Sequence, residues 1–340
     1  MSHSGETVEA KRPEQEIRIR LILPFLIRLK DGTYQCRMGK NEFLLHLQSI
    51  KTDRTRGNIK STKDGSQESR VLAKASTGEL TEAIEAKVPG AMLQYSLVTL
   101  QFWKRRTIKP DERPEEINKN IALAHRFLNQ FINVYRFVTS DIEAYPLNRG
   151  ELSEVRAGQT LHFWINFPQE SKCVMGSDFG EHGVMPTPEP FGDNEHQRIE
   201  QMLVEGVEPP IVDLLLLNSR SFLRDGERRL ALIELGTACD IDMEQVTLNI
   251  LKLRGELSDK MRQTLETAST KRIAVEILQP IINEDLINNT PYTEWDSSFR
   301  RLRNEVVHDA YKPTPEEAEV ALQIVELLHN YLTTTITPKM

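Results

Sequence analysis

The feature that most constrains this chain is a change of hydrophobic period part-way along it. Over residues 16–50 apolar residues alternate with polar ones, first in EIRIRLILPF and then in LIRLKDGTYQCRM. That two-residue period belongs to half-buried strands. After residue 195 the apolar positions recur every three or four residues instead, the period of helices packed by one face. Between the two regimes lies QESKCVMGSDFGEHGVMPTPEPFGDNE, a Gly- and Pro-rich acidic stretch that reads as a linker over 169–190. The expected fold class is therefore α+β: an N-terminal sheet-and-helix domain over 1–190, then an all-helical domain over 191–340.

Within the first domain, Asp31-Gly32 reads as a hairpin turn. SLVTLQFW and LHFWINF read as further strands. Between them, Ile121, Leu123, Ala124, Phe127, Leu128, Phe131, Ile132 and Tyr135 fall at helical spacing and predict one amphipathic helix. His125 on that helix reads as a packed or surface residue, since no second His or Cys lies at ligand spacing. Residues 51–74 form a long polar loop with seven Lys or Arg against three Asp or Glu, in a chain whose net charge is −7. Such a loop is either a solvated excursion or an arm in which Lys51, Arg54, Arg56 and Lys60 track phosphates. Trp103, beside Lys104-Arg105-Arg106, would supply a surface for base stacking.

The acidic balance excludes a chain that binds nucleic acid by bulk charge, so any polyanion site must be local. Cys36, Cys173 and Cys239 are odd in number and never form a CxxC pair, which argues against a disulfide framework or structural zinc and points to a reducing cytoplasm. His182 and His196 lie among carboxylates but match no ligand pattern. The longest apolar run, Leu21 to Ile27, is interrupted by Pro24, so no membrane span is expected. The sequence contains no GxxxxGK[ST] loop, no GxGxxG, no HExxH and no GxSxG. A helix-turn-helix reader lacks its recognition helix.

The second domain is punctuated by helix signals. PPIVDLLLLNSRSFLRDG has Pro at its start and Gly beyond its end, and Thr314, Pro315 and Glu317 spell an N-cap, a first-turn proline and the Glu of a capping box. On SSFRRLRNEVVHDAY, Phe299, Leu302, Val306 and Ala310 form the packing side. Arg301, Asn304, His308 and Tyr311 lie opposite, and Arg303 reaches around the edge. These residue types suit metal-free RNA cleavage. An imidazole, titrating near pH 6.5 when unperturbed, moves a proton at the 2′-hydroxyl or the leaving oxygen. A guanidinium bonds two phosphoryl oxygens at once. The alternative is that Arg303 and His308 pair with Glu305 or Asp309, or simply face water.

RNEVVH, Arg303 to His308, followed by the capped terminal helix, resembles the Arg-polar-x-x-x-His signature of the HEPN superfamily, and DGERRLALIELGTACD is similar to an early helix of that family bearing an acidic residue on its inner face. The resemblance covers residues 195–335. It implies a helical bundle that dimerises so that Arg303 and His308 of two chains line one cleft. It implies a metal-independent endoribonuclease with no cofactor, RNA as substrate, and an antitoxin or a phage-derived trigger as partner, as in toxin-antitoxin and abortive-infection systems, with the N-terminal domain sensing or binding substrate. Other members are noncatalytic nucleotide-binding or assembly modules. In this reading His308 is the acid or base, Arg303 the phosphate clamp, Asn304 a polar helper, and Arg301 and Tyr311 flanking contacts. Glu234 lies on an inward stripe with Leu230, Thr237 and Ile241, where a carboxylate needs a cation. It either orients Arg303 or pairs with another helix's arginine such as Arg300.

Overall fold

The computed structural model describes residues 15–23, 25–53, 92–104, 113–147, 161–165, 170–174, 190–282 and 284–336. Alternation in the first third folds as expected into strands: β1 (Gln15–Leu23), β2 (Gly32–Met38), β3 (Asn41–Asp53) and β4 (Met92–Lys104). With β5 (Leu161–Ile165) and β6 (Glu170–Val174) they form one antiparallel six-stranded sheet in the order β2-β3-β4-β1-β5-β6. Register puts Ile17, Ile19 and Leu21, Phe43, Leu45 and Leu47, and Val98, Leu100 and Phe102 on one face. That face meets helix α1 (Arg113–Thr139), whose Phe127 stacks on Phe43 with ring centroids 4.1 Å apart. The opposite face carries a row of polar side chains bonded from strand to strand: Thr33 to His46 (2.8 Å), His46 to Gln101 (3.0 Å) and Gln101 to Glu16 (2.8 Å).

Several expectations are corrected here. The hairpin turn is not at Asp31-Gly32 but at Gly39-Lys40, where Gly39 adopts φ +59° and Met38 pairs with Asn41. Residues 26–30 do not form a strand, and two of their amides are taken by side chains: Ile27 N donates to Ser96 Oγ (2.6 Å) and Arg28 N to the Tyr135 hydroxyl (3.2 Å). Asp31 instead accepts from Ser49 N (2.7 Å), tying the entry of β2 to β3. The expected linker contains β6, paired with β5. The expected boundary near 190 also moves. Helix α2 (Asp193–Glu205) buries Ile199, Met202 and Leu203 in the core of the sheet, so the first compact unit extends to Glu208. At its end Gly206 (φ +67°) sits where a Cβ would lie 3.0 Å from the Arg37 carbonyl oxygen, a position that only glycine fills without strain.

The second compact unit comprises residues 209–340 with the short segment Ser140–Ile142, whose Ile142 carbonyl accepts from Ser221 Oγ (2.8 Å) and Arg224 Nη1 (3.0 Å). Its described elements are helical, as the periodicity predicts: α3 (Ile211–Arg224), α4 (Arg228–Leu253), α5 (Asp259–Thr267), α6 (residues 270–281), α7 (residues 290–308) and α8 (Pro315–Asn330). Wider π-turns interrupt α6 and α7, at Ile273–Leu278 and Trp295–Phe299, and a third, Tyr331–Ile336, continues the chain directly from α8. The 26-residue α4 runs through the core and buries Leu232, Leu235, Cys239, Met243, Val246 and Ile250. α8 starts where its sequence dictates. Thr314 Oγ1 accepts from Glu317 N (3.2 Å) while the Glu317 carboxylate accepts from Thr314 N (2.8 Å), a complete capping box. The chain is thus α+β, and among the described residues no helix is long and apolar enough to cross a membrane.

Candidate active site

Helix α7 carries the motif. The π-turn Trp295–Phe299 directly precedes Arg300–His308, so the residues before and after it are out of phase with a regular helix. Phe299 and Val306 anchor α7 in the core at 2% and 0% exposure, as their spacing predicts. Leu302 is half-buried, but Ala310, expected on the packing side, is exposed. It ends the helix in a left-handed conformation (φ +55°), with Asp309 N and Tyr311 N both donating to the Glu305 carbonyl (3.0 and 3.2 Å). The Val306 carbonyl in the last turn accepts from Arg229 Nη2 of α4 (3.3 Å).

Arg303 lies across α4. Its Nε would be 2.9 Å from a Cβ on Gly236, and its Nη2 is 3.9 Å from Asp240 Oδ2. Asp240 is itself held by the Thr270 hydroxyl. A third of the Arg303 side chain remains exposed. His308 is exposed in the last turn of the helix, and Asn304, one turn earlier, is half-buried. The arginine and the imidazole are separated by five positions, which on one helix means about 7.5 Å along the axis and about 140° around it. Neither is walled into the interior.

The other expected site residues divide. Arg301 is 77% exposed and only loosely paired with Glu305 (3.9 Å). Tyr311 is turned toward α8: its hydroxyl donates to the Glu317 carboxylate (3.0 Å), and that bond pushes the phenol pKa up. Lys51 stands on β3 rather than on a loop, while Arg54, Arg56 and Lys60 lie outside the described residues, as do Arg105, Arg106 and His182. Lys104 is paired with Glu116 (2.8 Å), leaving Trp103, at 43% exposure, as the stacking candidate there. His125 is a packed helix residue, bonded to the Leu147 carbonyl (2.7 Å). His196 lies between the Tyr34 hydroxyl (3.3 Å) and Glu200 (3.3 Å). Cys36 and Cys239 are buried free thiols whose pKa values burial raises.

Glu234 is the main correction. It neither orients Arg303 nor pairs with Arg300, because two residues along α4 is about 200° of rotation and Glu234 therefore faces away from Gly236. Its carboxyl is bonded by the Asn218 side chain of α3, its Oε2 is buried without a hydrogen bond, and burial pushes its pKa up. Arg300 instead bonds Asp296 (2.6 Å), which also takes Lys271 (2.8 Å). Burial alone would raise the Asp296 carboxyl, but the two cations hold it below its ordinary range.

A cluster that sequence reasoning missed joins three helices. His329 of α8 places Nδ1 2.9 Å from Asp242 Oδ2 of α4 and Nε2 3.8 Å from Asp213 Oδ1 of α3. The bond to Asp242 raises the imidazole pKa against the opposing effect of burial. The sequence signal was a charged residue at a core position of α4, Asp242 being 5% exposed. No family model matches the chain, and comparison with curated proteins and with solved structures gives no significant match.

Proposed function

We propose that the second unit is a HEPN-type helical domain and that the chain is a metal-independent endoribonuclease whose active site is completed at a homodimer cleft. The observation that carries this reading is the disposition of Arg303 and His308 on α7. The arginine is laid along a neighbouring helix with a third of its side chain exposed, and the imidazole is exposed about one and a half turns further on. A phosphate against Arg303 would receive the planar fork of donors that stabilises charge on its non-bridging oxygens. His308 would take the proton of the attacking 2′-hydroxyl, or return one to the departing 5′-oxygen.

The 140° between the two side chains makes a second copy the natural source of the missing partner, since a two-fold axis near α7 brings Arg303 of one chain toward His308 of the other. Exposed apolar side chains support a covering partner there. Ile233 of α4 and Val307 of α7 are 41% and 42% exposed, each within about one turn of the Arg229–Val306 contact that joins the two helices. A trigger or an antitoxin would act on this assembly, and the N-terminal sheet would serve as the sensing or substrate-binding module.

The test is cleavage of labelled RNA by the full chain in EDTA. Wild type is expected to cut, and Arg303→Ala and His308→Ala to lose about 100-fold or more in rate, the usual loss for a proton-transfer group or a charge-stabilising donor. Circular dichroism checks that both variants are folded. Equal background cleavage by all three proteins would leave a noncatalytic nucleotide-binding or assembly module as the reading.

A further inference from the structure

Gly236 sits in the middle of α4, where glycine is the poorest helix former apart from proline. Its φ is not left-handed, so the helix does not require a glycine there. What requires it is a side chain 67 positions away in sequence. A Cβ at this position would lie 2.9 Å from Arg303 Nε, 3.3 Å from its Cγ and 3.5 Å from its Cδ, and these are the three nearest atoms that it would meet. The bare Cα is therefore a seat shaped for the stem of one arginine. Asp240, one helical turn further along the same face, lies near the guanidinium at the far end of that stem.

We propose that Gly236 is a positioning residue for Arg303, fixing where the guanidinium meets the phosphate of an RNA substrate. The proposal rests on the ribonuclease reading above. Any side chain at 236 lifts the arginine stem off α4 and swings its tip away from the place set by the seat and Asp240. A misplacement of about 1 Å at a positioned charge is enough to cost up to 100-fold in rate. The arginine is flexible and partly exposed, so it can move aside without unfolding the domain. Alanine also suits the helix better than glycine.

The experiment compares the full chain with Gly236→Ala, Arg303→Ala and the double variant. The readouts are RNA cleavage (kcat and KM), thermal midpoint, and the arginine ¹⁵Nε–¹Hε spectrum, in which the Arg303 signal is assigned by its loss in Arg303→Ala. Gly236→Ala is expected to shift or broaden the Arg303 signal and to lower kcat by about 10- to 100-fold with KM within about twofold, while the midpoint is unchanged or raised. On the Arg303→Ala background the same substitution should leave kcat and KM unchanged. If Gly236→Ala fails to fold, the double variant must fold, because removing the arginine empties the space. An unmoved Arg303 signal, undiminished kcat, or a double variant that is also unfolded overturns the proposal. A wild-type chain that cuts no RNA overturns the ribonuclease reading and this catalytic role with it, and the Nε spectrum then still decides whether Gly236 seats Arg303.

Discussion

Replacing Asp242 by asparagine should destabilise the helical unit in a way that depends on pH. His329 is clamped between α4 and α3 by a 2.9 Å bond to Asp242 and a 3.8 Å approach to Asp213, with Glu326 of its own helix adding to the field and itself paired with Arg220 at 2.8 Å. The Asp242 side chain is 7% exposed and that of His329 17%, so the bond is shielded from water on most sides. A hydrogen bond between charged partners contributes about 1.5–3 kcal/mol, and the residual exposure puts this one near 2 kcal/mol. For a helical unit of this size that corresponds to roughly 8 °C in midpoint. The sign follows from linkage. The folded-state pKa of His329 is raised, so its contribution is fully present below the unfolded value near 6.5 and is lost as pH rises through the folded value. Asp213, whose pKa is raised chiefly by burial, contributes in the same direction, its share being lost as pH climbs above its ordinary carboxylate range. Urea unfolding at pH 6 and pH 9, read by hydrogen exchange in peptides of α4 and α8, follows this unit by itself. The wild type should be more stable at pH 6, and Asp242→Asn should narrow that difference. A wild type equally stable at both pH values, or an Asp242→Asn deficit that does not shrink at pH 9, would refute the assignment of a charged clamp.

Three further outcomes follow from named contacts. Glu234→Gln should stabilise the fold at pH 7.5 and not at pH 4, because the buried carboxyl has a raised pKa and is penalised only once ionised; matched urea midpoints at the two pH values check it. Ala310→Gly should raise stability by about 1 kcal/mol in denaturant melts, since glycine removes the left-handed strain (φ +55°) that ends α7. Thr314→Ala removes the hydroxyl half of the α8 capping box and should cost about 1 kcal/mol, with amide exchange rising at Glu317.

What could be read in advance was local. The capping box of α8, the face of α1 and the packing side of α7 each depend on neighbours within a few positions, and each stands where the spacing puts it except at Ala310, where α7 has already ended. What could not be read was long-range or counter to local pattern. Residues 26–30 alternate like a strand, yet the Ile27 and Arg28 amides are claimed by Ser96 and Tyr135, partners that no local pattern announces. β1 pairs with β4 and β5 rather than with its sequence neighbour, because sheet order is settled by the whole core. The stripe expected to carry Glu234 inward lies at the surface instead, with Leu230 44% exposed and Thr237 exposed; Glu234 is drawn partly in, by Asn218 of α3, and the side of α4 facing α7 belongs to Gly236. A mid-helix glycine was the available signal, and its meaning emerges only once Arg303 is laid against it.

The most direct measurement of the central claim mixes two inactive proteins. Full-length Arg303→Ala and His308→Ala, each at background RNA cleavage in EDTA, are combined and allowed to exchange subunits. A cleft that draws its arginine from one chain and its imidazole from the other should regain a substantial fraction of wild-type cleavage in the mixture. If the mixture stays at background although light scattering shows mixed dimers, the two side chains do not act across a shared cleft and the account is wrong.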